Sequence, residues 1–159
     1  RTIHDYYQQK QTSPVRTVGL DLSPHMLAVA KSQDVDGHIS QWIHAKAEGT
    51  GLTGSSFDLV TIQFVIHELP RHITIANFKE AYRLLKPNVF LAIVDNNPYS
   101  PVIQKLPPVL FTLMKSTEPW SDDYYTIDVE AALENSGFKQ IVTVASDPRH
   151  RTLVAHKPS

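Results

Sequence analysis

The chain of 159 residues contains no cysteine. Disulfides, thiolate metal centres and cysteine nucleophiles are therefore excluded. It has no uninterrupted apolar run of about 18 residues, so no membrane-spanning helix is expected. It has no excess of charge of either sign. The net charge of −1 leaves no global field to attract nucleic acid or an anionic membrane. The opening Arg1-Thr2-Ile3-His4 is no signal peptide, and without an initiator methionine it reads as a processed or truncated start. No glycine precedes Gly19. Prolines, by contrast, number eleven and cluster at Pro98, Pro101, Pro107, Pro108 and Pro119, where a loop-rich excursion is expected. At 42% hydrophobic, the chain is long enough for one packed domain over residues 1–159.

The most informative residue is Asp21, in Val18-Gly19-Leu20-Asp21-Leu22-Ser23-Pro24. A short apolar run ends in a carboxylate, and Ser-Pro then opens an amphipathic stretch. This is a strand with an acid at its carboxyl tip, followed at once by a helix. In nucleotide-binding α/β folds a carboxylate at that tip accepts the hydroxyls of a ribose. Such an acid normally follows a glycine-rich turn about 20 residues upstream. Here 20 residues precede Asp21 and none before Gly19 is glycine, so that half of a nucleotide site is not in this chain.

Periodicity gives the remaining elements. Helices are expected over residues 1–11, 23–31, 73–86, 109–115 and 126–136, with Ser23 as N-cap, Pro24 at the first helical position and Gly137 as the terminating glycine. Strands are expected over 15–21, 39–45, 57–65, 89–95, 139–145 and 152–156. The alternation argues for an α/β layer, and the short connection between the last two strands makes them an antiparallel hairpin. In the helix at 73–86, Ile75, Phe78, Ala81, Tyr82 and Leu85 share a face.

Three blocks then resemble one family. Val18 to Leu27 is similar to the second block of class I S-adenosylmethionine-dependent methyltransferases, of the type 11 variety that includes ubiquinone and menaquinone C-methyltransferases. Ser56-Phe57-Asp58-Leu59-Val60, running on to Pro70, resembles their strand-4 block. Glu80-Ala81-Tyr82-Arg83-Leu84-Leu85-Lys86-Pro87 resembles the helix and turn ahead of strand 5. The later stretches around residues 106–111 and 147–151 resemble plant and algal members. The resemblance implies a Rossmann-like sheet of order 3-2-1-4-5-7-6, S-adenosyl-L-methionine as cofactor and a small molecule as methyl acceptor. It places strand 1 and its glycine-rich loop outside this chain, which reads as an N-terminally truncated domain. The missing strand belongs at the sheet centre, about 5 Å from each neighbour. The compartment implied is a soluble one, cytoplasmic or plastid.

Carried over residue by residue, Asp21 grips the ribose; otherwise it is an acid complementing a helix dipole. Leu22 and Met26 lie on the adenine face or are core contacts. Lys46, Ala47 and Glu48 occupy the loop that holds the adenine amine. Lys46 departs from the family, because an ammonium only donates, which leaves that task to the backbone near Ala47 or to Glu48. Gln63 approaches the sulfonium or is a satisfied buried amide. His67 is a general base or a structural histidine. Asp95, Asn96 and Asn97 line a substrate mouth or form a turn; Tyr124 and Tyr125 belong to a lid. His67-Glu68-Leu69-Pro70-Arg71-His72 has the wrong spacing for a zinc-protease helix, and Pro70 would break that helix, so no metal is expected. Arg149-His150-Arg151 reads as a solvated turn. Methyl transfer is the leading function. The alternatives are a non-catalytic methyltransferase-fold remnant acting as a binding module, and a dehydrogenase using Asp21 on a ribose.

Overall fold

The computed structural model describes residues 2–159 and divides into two compact units, residues 1–51 and 52–159. The first holds α1 (Thr2–Lys10), β1 (Val18–Asp21), α2 (Pro24–Gln33) and β2 (Gln41–His44). β1 and β2 pair in parallel, from Val18 opposite Gln41 to Asp21 opposite His44. Helix α2 starts where the sequence places it. The Ser23 side chain accepts the Met26 amide at 3.2 Å, and Pro24 presets the first turn. Gly19 is fixed by close approach, since a Cβ there would lie 2.6 Å from the Trp42 ring. Among the described residues of this unit none is fully buried. A parallel sheet is normally covered on both faces, and two strands with two helices cannot enclose a core.

The second unit contains the core. Its sheet runs β3-β4-β6-β5, formed by β3 (Phe57–Gln63), β4 (Leu85–Asn96), β5 (Lys139–Ala145) and β6 (His150–Lys157). β3 and β4 are parallel; β4–β6 and β6–β5 are antiparallel, so the C-terminal hairpin is present as expected. β1 and β3 belong to different sheets. On β6 burial alternates strictly, with Arg151, Leu153, Ala155 and Lys157 inside. Leu153 and Ala155 pack in one cluster with Leu91 and Ile93 of β4, Phe78 and Ala81 of α3 (Arg71–Leu84), and Val129 and Leu133 of α7 (Val129–Asn135). The α3 stripe recurs at Thr74, Asn77, Phe78, Ala81 and Leu84, with Ile75 and Tyr82 partly buried beside it.

Element boundaries differ from expectation by up to four residues, most at the junction of α3 and β4. α3 ends at Leu84, and Leu85 already has extended backbone. Pro87 disfavours helical geometry at Lys86, so the chain enters β4 four residues before Val89. The freed carbonyls at the helix end are not left bare. Lys157 Nζ donates to the carbonyl oxygens of Tyr82 and Leu85, both at 2.7 Å. The proline-rich excursion contains two helices rather than one, α4 (Pro101–Gln104) and α5 (Pro108–Thr117), and α6 (Ser121–Thr126) follows it. Gly137 does terminate α7, with φ +105° and the Tyr82 ring 2.9 Å from where a Cβ would sit.

Leu153 is inaccessible at the centre of this core, whereas Leu113 on α5 is exposed. Leu153→Ala is expected to cost about 3 kcal/mol of unfolding free energy in urea titration. Leu113→Ala is expected to stay within about 0.5 kcal/mol.

Candidate functional site

In the first unit the parallel pairing carries Asp21 to the carboxyl end of β1, beside His44 at the end of β2. Asp21 Oδ1 accepts the Ser23 amide at 2.7 Å, which holds the carboxylate at the mouth of α2. A carboxylate has about four acceptor positions, so three stay open for hydroxyl donors. His44 Nε2 lies 2.8 Å from the Leu22 carbonyl oxygen and ties the β2 tip to the loop that follows Asp21. Leu22 and Met26 are 60% and 53% exposed. They are not core contacts; they present uncovered apolar surface beside the acid. Lys46 is exposed, whereas Ala47 and Glu48 are half-buried in the turn closed by Gly49 N–H on the Lys46 carbonyl oxygen.

In the second unit the carboxyl ends of β3 and β4 build a different arrangement. Gln63, at the end of β3, is exposed, which excludes the satisfied buried amide. Phe64 follows with φ +54°. A left-handed non-glycine residue costs about 1–2 kcal/mol, and here the bend turns the next two amides back toward β4. The acceptor waiting there is Asp95, which is 0% exposed. Asp95 Oδ2 accepts the amides of Val65 (3.2 Å) and Ile66 (3.0 Å). Asp95 Oδ1 accepts the Asn96 amide (2.7 Å) and faces His67 Nδ1 at 2.6 Å. With four partners the carboxylate is filled, and as an acceptor it requires Nδ1 of His67 to carry the proton. The lone pair of the neutral ring is then at Nε2, 3.7 Å from Glu68 Oε1.

Asp95 is therefore a buried organiser rather than a mouth or turn residue. Tyr124 is likewise no lid. It is buried on α6, its hydroxyl donates to the Asn96 carbonyl oxygen, and its ring meets His67 edge to face at 6.3 Å. Burial above all, with the charge of Asp95, pushes its hydroxyl well above the usual phenol range and keeps it a donor. Arg151 was expected in a solvated turn. It is instead 4% exposed on β6 opposite Asp95, 3.6 Å from Glu130, and lines a cleft of about 380 Å³ with Tyr99, Tyr125 and Asp128. Two sequence signals point to these roles. The run from Val89 to Asp95 repeats the pattern that ends in Asp21, and period-2 alternation from Arg151 to Lys157 puts the arginine on the Leu153 face.

Burial pulls the His67 imidazole toward its neutral form, but the hydrogen bond and charge of Asp95, with Glu118 and Glu68, outweigh it and raise the pKa. A histidine titrating higher in the folded than in the unfolded chain adds stability when protonated. That contribution is complete below the unfolded value of about 6.5 and is lost as pH climbs through the folded value. The urea-midpoint advantage of the wild type over His67→Gln is expected to shrink as pH rises through that window. An advantage that grows with pH would contradict the assignment.

Residues 3–93 match a family model described as a methyltransferase domain. A demethylmenaquinone methyltransferase of Staphylococcus saprophyticus is 33% identical over 89 residues, covering 55% of this chain and 37% of that protein. Its counterpart in Listeria welshimeri is 37% identical over 81 residues, covering 50% of this chain and 34% of the relative. The matched region thus spans about a third of the length of these relatives. Among solved structures, phosphoethanolamine N-methyltransferase 2 of Haemonchus contortus, in complex with S-adenosyl-L-methionine, superposes with a TM-score of 0.72 at 18% identity over 97% of this chain and 46% of that one. A Pyrococcus horikoshii protein superposes with a TM-score of 0.70 at 16% identity over 99% of this chain and 76% of that one. These likenesses carry the fold. The family match runs over more than half of the chain, which belongs to the methyltransferase domain family.

Proposed function

We propose that this chain serves S-adenosyl-L-methionine-dependent methyl transfer to a small-molecule acceptor, as one partial methyltransferase domain over residues 1–159. The observation that carries the reading is Asp21 at the carboxyl tip of a parallel strand, held by the Ser23 amide with acceptor capacity to spare, inside the region that matches the family. The residues present fit the ribose and adenine end of the cofactor. Asp21 accepts the ribose hydroxyls, and the exposed Leu22 and Met26 cover an adenine face. Lys46 only donates, so the adenine amine falls to Glu48 or to the backbone at Ala47. When bound, the cofactor supplies an electrophilic methyl group on its sulfonium, and the protein's share is alignment and a dry setting.

On the acceptor side, Gln63 offers an exposed amide for positioning. His67, fixed as the Nδ1–H tautomer by Asp95, takes a proton at Nε2. The curated relatives are named for demethylmenaquinone, and an acceptor with an acidic ring hydroxyl or ring carbon suits such a base. No partner beyond a small molecule is required, and neither nucleic acid nor an oligomer enters the reading. Among the described residues no helix is long and apolar enough to cross a membrane.

Calorimetric titration with S-adenosylhomocysteine tests the proposal. Binding at micromolar concentrations is expected, weakened by about 10- to 100-fold in Asp21→Ala, the loss expected for hydrogen bonds to a charged acceptor. No heat at millimolar ligand would overturn it and favour the non-catalytic remnant.

A further inference from the structure

The first unit carries a cluster that methyl transfer does not use. His4 and Asp5 lie on α1, and His38 lies in the loop ahead of β2. One ring nitrogen of each histidine and one carboxylate oxygen of Asp5 are all within 4.8 Å of one another, and all three residues are half-buried. His38 Nε2 is 3.1 Å from Asp5 Oδ1, and the two imidazoles meet edge to face at 4.9 Å.

The surroundings are those of ligating histidines. Nδ1 of His38 is turned toward Asp34 at 3.6 Å and Asp36 at 4.0 Å. Asp34 is itself fixed by accepting the His38 and Ile39 amides at 2.8 and 2.9 Å. Nδ1 of His4 lies 3.2 Å from the Thr17 hydroxyl. The Thr17 hydroxyl thus holds Nδ1 of His4, and Nδ1 of His38 faces two carboxylates without a direct hydrogen bond, which leaves the second nitrogen of each ring for a metal. Two imidazoles and one carboxylate form the donor set of zinc sites that keep a fourth position for water. Zinc bonds of about 2.0–2.1 Å place tetrahedral ligands about 3.3 Å apart. Side-chain rotation on a surface helix closes the observed spread.

We propose that His4, Asp5 and His38 bind one zinc-class divalent cation that fastens α1 to the loop before β2. The fastening has something to do. No described residue of this unit is fully buried, and Ile3, Tyr6 and Tyr7 of α1 are exposed. Metal binding supplies folding energy where packing is thin.

The test uses the full chain, titrated with zinc against a chromophoric chelator and, separately, with cobalt(II). One metal per chain is expected, with the visible absorption of tetrahedral cobalt and a raised melting temperature. His4→Ala and His38→Ala should each weaken zinc binding by about a hundredfold or more, since even outer-shell changes cost 10- to 100-fold, and Asp5→Asn should weaken it at least about tenfold. His150→Ala removes another histidine–aspartate pair, His150 with Asp147 at 2.6 Å, and should leave binding unchanged. No saturable zinc binding by the wild type, or binding that survives both His4→Ala and His38→Ala, overturns the proposal. Should His38→Ala lose its helical circular dichroism, the His4→Ala titration and the wild-type cobalt spectrum decide.

Discussion

The buried carboxylate of Asp95 is the constraint on which the second unit's chemistry depends. An ionised group without solvent is costly unless every acceptor position is filled. Here the filling is done by the Val65 and Ile66 amides from the turn after β3, the Asn96 amide from its own strand, and His67. Meeting that demand bends the chain at Phe64 into the left-handed region. It also joins the carboxyl ends of two parallel strands and selects the His67 tautomer. One residue thereby fixes an imidazole at a strand end with a defined nitrogen turned away from the carboxylate. Tyr124 and Arg151 pack around it as a phenol held in its protonated form and a buried cation.

The two units solve the packing problem differently. Residues 52–159 enclose an apolar centre between a mixed sheet and the helices α3 and α7, and the outer strand β5 is protected by a bulge near Gln140. Residues 1–51 have only a two-stranded parallel pair and hold their shape through local devices. The Ser23 cap and the Asp34 loop clamp act within a few residues, and the Gly19–Trp42 contact and the His44 tie to Leu22 join β2 to β1 and to the loop after it. Those same devices display Asp21, Leu22 and Met26 outward, so the surface assigned to a nucleotide is also the surface with the least packing behind it.

Much of this was legible in the residues. Ser23-Pro24 after Asp21 marked the α2 start, the recurrence of Phe78, Ala81 and Tyr82 marked the face of α3, and the chain order of three motifs pointed to the family. Three features were not legible, each because a distant contact decides it. Pro87 reads as a helix stop, yet the strand begins before it: Leu85 pairs with Phe57 of β3, and β6 joins from Val89. Asp95 reads as a mouth or turn residue and Arg151 as a turn residue; the strand-end and period-2 patterns give only their faces, and the β4–β6 register sets the two opposite one another. His38 lies more than thirty positions after His4 and Asp5, and no local pattern announces that α1 and the loop before β2 meet.

The central claim is that Asp95 holds His67 with the proton on Nδ1 and the lone pair on Nε2. Nitrogen-15 NMR of the imidazole, recorded on the alkaline side of its titration, reads this directly. The account predicts a protonated, pyrrole-type Nδ1 and a bare, pyridine-type Nε2 for His67. A proton on Nε2 with Nδ1 bare would contradict it, because the buried carboxylate would then face a lone pair instead of a donor.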